Sequence, residues 1–149
     1  MKKCLLPIVA ALIFLSGLSF AQTHTTTGVI GKLYTKTQAD QIYGPVLQSV
    51  SINTATLQTL IAKSPKYIMF NIINGQLVIS TPQRNVLSGQ MTALSASQKM
   101  GVISTSVVNQ LIQQGGSSTT TIELRNNILT LSNNNDTGTI GSWCPPFCP

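Results

Sequence analysis

The clearest pattern along the chain is alternation. In residues 67–80, YIMFNIINGQLVIS, two runs of branched and aromatic residues flank Asn74-Gly75. That dipeptide between apolar runs predicts a β-hairpin whose two turn residues both take positive φ. The turn also sets the register: Ile73 faces Gln76, Ile72 faces Leu77, Asn71 faces Val78, Phe70 faces Ile79 and Met69 faces Ser80. Period two then gathers Ile68, Phe70, Ile72, Leu77 and Ile79 onto one face, which is expected to be a core face.

Residues 119–132, TTTIELRNNILTLS, repeat the pattern around Asn126-Asn127. Arg125 is placed opposite Ile128, Leu124 opposite Leu129, Glu123 opposite Thr130 and Ile122 opposite Leu131. Ile122, Leu124, Leu129 and Leu131 form an apolar face. Thr121, Glu123, Arg125 and Thr130 form a polar one, expected to lie open to solvent, with Glu123 and Arg125 as a surface ion pair.

A helical spacing precedes each hairpin. INTATLQTLIAKS from Ile52 and ISTSVVNQLIQQG from Ile103 align without a gap. They place Leu57, Leu60 and Ile61 in one copy, and Val108, Leu111 and Ile112 in the other, on one helix face, with Asn53 and Ser104 as N-caps. A shorter helix is expected to begin near Thr37 and Asp40, as a near capping box, and to stop at Gly44-Pro45. The expected fold is therefore α+β: two helix-plus-hairpin units, about residues 33–81 and 90–132, some 51 residues apart and read as an internal duplication. Their hairpins would form one antiparallel sheet, or two packed hairpins, covered by short helices.

The flanks fit a different description. Lys2-Lys3, an apolar run from Leu5 to Leu18 and Ser19-Phe20-Ala21 read as a secretory signal peptide over residues 1–21. The run is shorter than the roughly 20 residues a spanning helix needs. Cys4 lies ahead of that run and is expected to leave with it. Residues 22–31 read as a flexible N-terminal arm carrying the lone His24, residues 32–140 as a single domain, and residues 141–149 as a Cys/Pro-rich tail. Cleavage would leave 128 residues, enough for a core that does not depend on disulfides.

Composition narrows the function. The whole chain carries nine basic and three acidic residues, for a net charge of +6. Loss of Lys2 and Lys3 brings the basic count to seven, scattered without a run or interleaved aromatics, which argues against a nucleic-acid groove. The acids are Asp40, Glu123 and Asp136. Asp40 reads as part of a helix start, Glu123 as a surface partner of Arg125, and Asp136 as part of a turn-rich loop, SNNNDTG, whose spacing does not match an EF-hand. With His24 in the arm, and neither a nucleophile elbow nor a phosphate-cradling glycine loop, no catalytic residue, metal site or cofactor is expected.

The tail GSWCPPFCP sets Cys144 and Cys148 with three residues between them, beside Trp143 and Phe147. In an exported protein two such thiols are expected to pair, giving a local staple that displays or anchors the aromatics. An intermolecular disulfide and a redox or Cu(I) site remain alternatives, although the spacing is not thioredoxin-like and no third soft ligand lies nearby. Leu33 to Asp40, LYTKTQAD, resembles the helix-initiating segments of phage tail fibres and other fibrous surface proteins, which implies a surface or assembled protein. The sequence thus points to a small, exported, non-enzymatic binding or structural protein of a bacterial envelope or its surroundings. Its partner would be another protein, a second copy or a glycan, met through Glu123, Arg125 and Thr130, through Trp143 and Phe147, or at sheet edges. The alternative is a thiol-based redox or copper-handling protein.

Overall fold

A computed structural model of the chain describes residues 28–88, 91–126 and 128–144. The elements run β1 (Lys32–Thr35), α1 (Lys36–Tyr43), β2 (Gln48–Asn53), α2 (Thr54–Ile61), β3 (Tyr67–Ile73), β4 (Gln76–Ser80), β5 (Val86–Ser88), β6 (Met100–Ser104), α3 (Thr105–Gly115), β7 (Thr119–Arg125), β8 (Ile128–Asn133), β9 (Asp136–Thr139) and β10 (Ser142–Cys144). The class is α+β and mostly sheet. The strands form two antiparallel sheets, ordered β1-β9-β8-β7-β2 and β10-β6-β3-β4-β5.

Both hairpins take the register their turns dictate. Ile73 pairs with Gln76 and Phe70 with Ile79 in the first; Arg125 pairs with Ile128 and Glu123 with Thr130 in the second. Asn74 and Gly75 have φ of 51° and 76°, the positive values that let a two-residue turn match the twist of its strands. The hairpins do not share a sheet, however. β2, which enters α2, pairs with β7, while β6, which enters α3, pairs with β3. Each sheet therefore takes its hairpin from one half of the chain and a neighbouring strand from the other.

The helix starts show which backbone groups each cap serves. α1 begins two residues earlier than the expected box: Gln38 N donates to Thr35 Oγ1 (3.3 Å) and Thr35 N donates to Gln38 Oε1 (3.0 Å). Asp40 consequently lies beyond the first turn, free to act elsewhere. At α2, Asn53 Oδ1 accepts from Thr56 N as a cap should. Ser104 stands at the N-cap of α3 but makes no side-chain cap bond. Its hydroxyl accepts instead from Ile30 N at 2.7 Å, while its own N–H donates to Ile30 O at 2.8 Å. The described end of the expected arm thus lies against β6, and Tyr67 Oη also donates to Gly28 O (2.5 Å).

The two sheets meet at a corner that the chain crosses twice. Ile140 N donates to Leu129 O in one sheet and Gly141 N donates to Val102 O in the other. Ile30 and Lys32 make the same crossing from the other end of the chain. Gly31 turns there with φ +100°, and a Cβ on it would sit 2.7 Å from Thr139 O, so only glycine fits.

One apolar cluster is shared by both sheets and two helices. It joins Ile68, Phe70 and Ile79 with Ile122, Leu129 and Leu131, and adds Leu57, Leu60 and Ile61 from α2 and Val108, Leu111 and Ile112 from α3. These are the faces that period two and period 3.6 predict. A second cluster, Tyr67, Met69, Val78, Met100 and Val102, fills the other face of the β3–β4 sheet beneath Ile30, Met91 and Leu94. No helix among the described residues is long and apolar enough to cross a membrane.

Candidate functional site

The polar face of β7 and β8 is not open. Glu123 is 6% exposed, Arg125 and Thr130 are 0%, and Ser132 and Thr137 join them in the interior. This overturns the expectation of a half-exposed hairpin and a surface ion pair. The physical reason is α1, which packs across this face and contributes the counter-charges that a buried guanidinium and carboxylate need.

Arg125 is the centre. Its Nη1 donates to Asp40 Oδ1 at 2.5 Å and to Gly44 O at 2.8 Å, and its Nη2 to Glu123 Oε2 at 2.8 Å. Its Nε is shared between Glu123 Oε2 and Thr130 Oγ1, both at 3.2 Å. Glu123 Oε2 also accepts from Ser132 Oγ (2.9 Å), and Lys36 Nζ stands 3.7 Å from Glu123 Oε1 and 3.9 Å from Asp40 Oδ1. Two cations thus face two carboxylates. Ser132 and Thr137 hydroxyls extend the network along the sheet at 3.1 Å.

Titration follows from these contacts. The hydrogen bond from Arg125 holds the Asp40 carboxyl below its ordinary value of 3.8, helped by the charge of Lys36. Burial alone would lower Arg125, but hydrogen bonds to Asp40 and Glu123 outweigh it and raise the guanidinium further. Tyr43, at the end of α1, packs edge-on against Tyr34 with ring centres 5.9 Å apart, and its phenol is pushed up to about 12 by burial and by Tyr34. A general acid at neutral pH requires a carboxyl whose pKa is raised. Asp40 is shifted the other way, and the contacts of this cluster join α1 to the sheet.

α1 is held chiefly by these polar contacts. Ala39 is its single fully buried residue. Lys36 N adds a bond to Asn135 O at 2.7 Å, and Gly44 ends the helix with φ +78° where a Cβ would meet Asn126 Nδ2.

A second buried polar centre has no net charge. Asn133 Nδ2 donates to Thr120 Oγ1 (2.9 Å) and lies within reach of Thr54 Oγ1, Ser117 O and Thr119 O, while its Oδ1 accepts from Ser117 N (2.9 Å). It ties the start of α2 to the loop after α3. Gly115 is required beside it, because any Cβ there would strike the Asn133 side chain.

The remaining candidates fall elsewhere. Asp136 begins β9, opposite Thr35 and Asn133, rather than occupying a solvated loop. Trp143 and Cys144 enter β10 by their backbone, opposite Gly101 and Met100, so the start of the tail is an edge strand of the β6 sheet. Phe147, Cys148, His24 and the expected signal peptide lie outside the described residues. Among the described residues no group of three His, Cys, Asp or Glu side chains could hold a metal ion. A shallow cleft of about 260 Å³ between α2 and α3 is lined by Gln58, Ile61, Ala62, Pro65, Thr105 and Asn109, none of them charged.

Sequence reasoning missed Lys36 and Asp40 as members of the Arg125 cluster, together with Ser132 and Thr137. A signal was present: in a chain with few charges, Lys36/Asp40 at i,i+4 and Glu123/Arg125 at i,i+2 are two complementary pairs. No family model, curated protein or solved structure matches the chain.

Proposed function

We propose that this is a small exported protein of a bacterial envelope or its surroundings, with a binding or structural role. The observation that supports this most directly is the engagement of Asp40 and Glu123, two of the chain's three acids, with Lys36 and Arg125 in fastening α1 to the sheet. In this reading the network serves to hold α1 on the sheet. What such a molecule offers is its outer surface: uncharged side chains, strand edges and the tail with Trp143 and Phe147. In this reading Cys144 and Cys148 close a local loop after β10.

Expression of the full chain in a bacterial host, followed by fractionation and intact-mass measurement, tests the exported part. A mature form beginning at Gln22, two mass units lighter than its reduced form, is expected. A full-length reduced protein retained in the cytoplasm would refute it.

We further infer that the two strand–helix–hairpin segments are copies of one unit. The element order β2-α2-β3-β4 recurs as β6-α3-β7-β8, and the two first strands are exchanged reciprocally between sheets. A chain in which residues 105–112 replace residues 54–61 is expected to retain cooperative unfolding; its collapse to an unfolded ensemble would count against equivalence.

A further inference from the structure

The four strands at the sheet edges are unequally protected. β5 and β10 have three residues each, and β1 has four and begins with Lys32. β2 has six, QSVSIN, with no charge, proline or bulge, and its Gln48, Ser49, Ser51 and Asn53 are exposed. Natural sheets protect such an edge with lysine, proline, a bulge or a cover, because its unpaired N–H and C=O groups otherwise accept another strand. Among the described residues those devices are missing at β2. The exposed apolar residues Ile42 (57%), Val46 (37%) and Leu47 (63%) lead directly into the same strand.

From this edge we infer that β2 is the site at which a second copy of this chain binds, antiparallel, to make one continuous sheet. Charge selects the occupant. The protein is basic overall, with a sequence pI near 9.6, so two copies repel over most of their surfaces. Residues 41–62 contain no charged side chain at all. Like can therefore approach like along this strip, whereas an acidic partner would find nothing there to attract it.

Symmetry restricts the register. An antiparallel two-fold pair needs residues from the same face opposite each other, so the axis passes through a residue rather than between two. Centred on Val50, the pairing sets Val50 against its twin, Gln48 against Ile52 and Ser49 against Ser51. No like charges meet. The interface is small, so affinity in the micromolar range is expected.

This inference deepens the structural role proposed above and does not depend on export. Sedimentation equilibrium of the purified full chain, as the cell processes it, between about 1 and 100 μM should show a monomer–dimer equilibrium. Ser49→Lys with Ser51→Lys puts lysine opposite lysine and should weaken the dimer at least about tenfold, roughly the effect of 1.4 kcal/mol. Leu47→Glu, outside the strand, should weaken it too, which keeps the test open if the double variant misfolds. Equimolar Ser49→Glu and Ser51→Lys proteins should form the mixed dimer in preference to either homodimer. A wild-type chain that stays monomeric throughout, a dimer indifferent to all these changes, or open-ended polymers would each overturn the proposal. Monomeric behaviour would leave the exported, non-catalytic reading standing.

Discussion

The two hairpins are built from similar patterns and are buried in opposite ways. β3–β4 is apolar on both sides, with Phe70 and Ile79 in the shared core and Met69 and Val78 in the second cluster. β7–β8 is apolar on one side only, yet its other side is just as dry, with Arg125 and Thr130 at 0% exposure. The difference teaches that alternation reports which residues share a face, not whether that face meets water. A polar face can be covered when every donor and acceptor on it finds a partner, and α1 supplies those partners here.

The comparison can be broken by replacing the centre of each face. Phe70→Ala should cost about 3–5 kcal/mol in urea unfolding, from lost transfer energy and a residual cavity. Arg125→Met should cost a similar ~3–5 kcal/mol, because it leaves Glu123 buried without its principal partner. The two then diverge. Adding Glu123→Leu to Arg125→Met should recover most of the loss, whereas no second polar-to-apolar change rescues Phe70→Ala. Hydrogen exchange should also rise selectively over α1 in the Arg125 variant. Equal recovery in both backgrounds, or an unprotected α1 already in the wild type, would contradict the reading.

Asn133→Ala probes the uncharged polar centre and should cost about 1–3 kcal/mol, since Thr54, Thr120 and Ser117 N lose a shared partner. A loss smaller than that of an exposed-surface change would show the network to be dispensable. The smallest effect concerns pH. The folded Asp40 pKa lies below its ordinary 3.8, so the folded state favours the carboxylate and the unfolded chain binds the proton more readily. That stability is present above pH 4 and drains away as pH falls through the lowered value. Thermal midpoints of wild type and Asp40→Asn should therefore lie apart near neutrality and converge as the pH falls through and below the lowered Asp40 value. Parallel curves over that range would assign the acid limb to another group.

The legible parts of the fold were those with local grammar. Asn74-Gly75 and Asn126 fixed two registers, and Leu57, Leu60, Ile61, Val108, Leu111 and Ile112 marked two core helices. Three features escaped for physical reasons. β9, DTGT, has no apolar residue to alternate, because Thr137 and Thr139 face the polar network and Gly138 lies against Leu33 and Leu111. β10 is three residues whose ladder is supplied by β6. The pairing of β2 with β7 joins residues about 70 positions apart, and no local propensity encodes it. The Arg125 cluster was legible by half: Glu123, Arg125 and Thr130 were placed together, but the helix that covers them lies some 85 residues away in sequence.

The reciprocal strand pairing also has a temporal meaning. Lys32 meets Thr139, Ser51 meets Thr121 and Ile68 meets Ile103, so neither sheet can be completed from one half of the chain. Closing such distant contacts precedes their reward, which makes folding slow and all-or-none. A nascent chain that ends before β7 already holds β3 to β6 of one sheet but only β1 and β2 of the other, which takes shape when its last strands arrive.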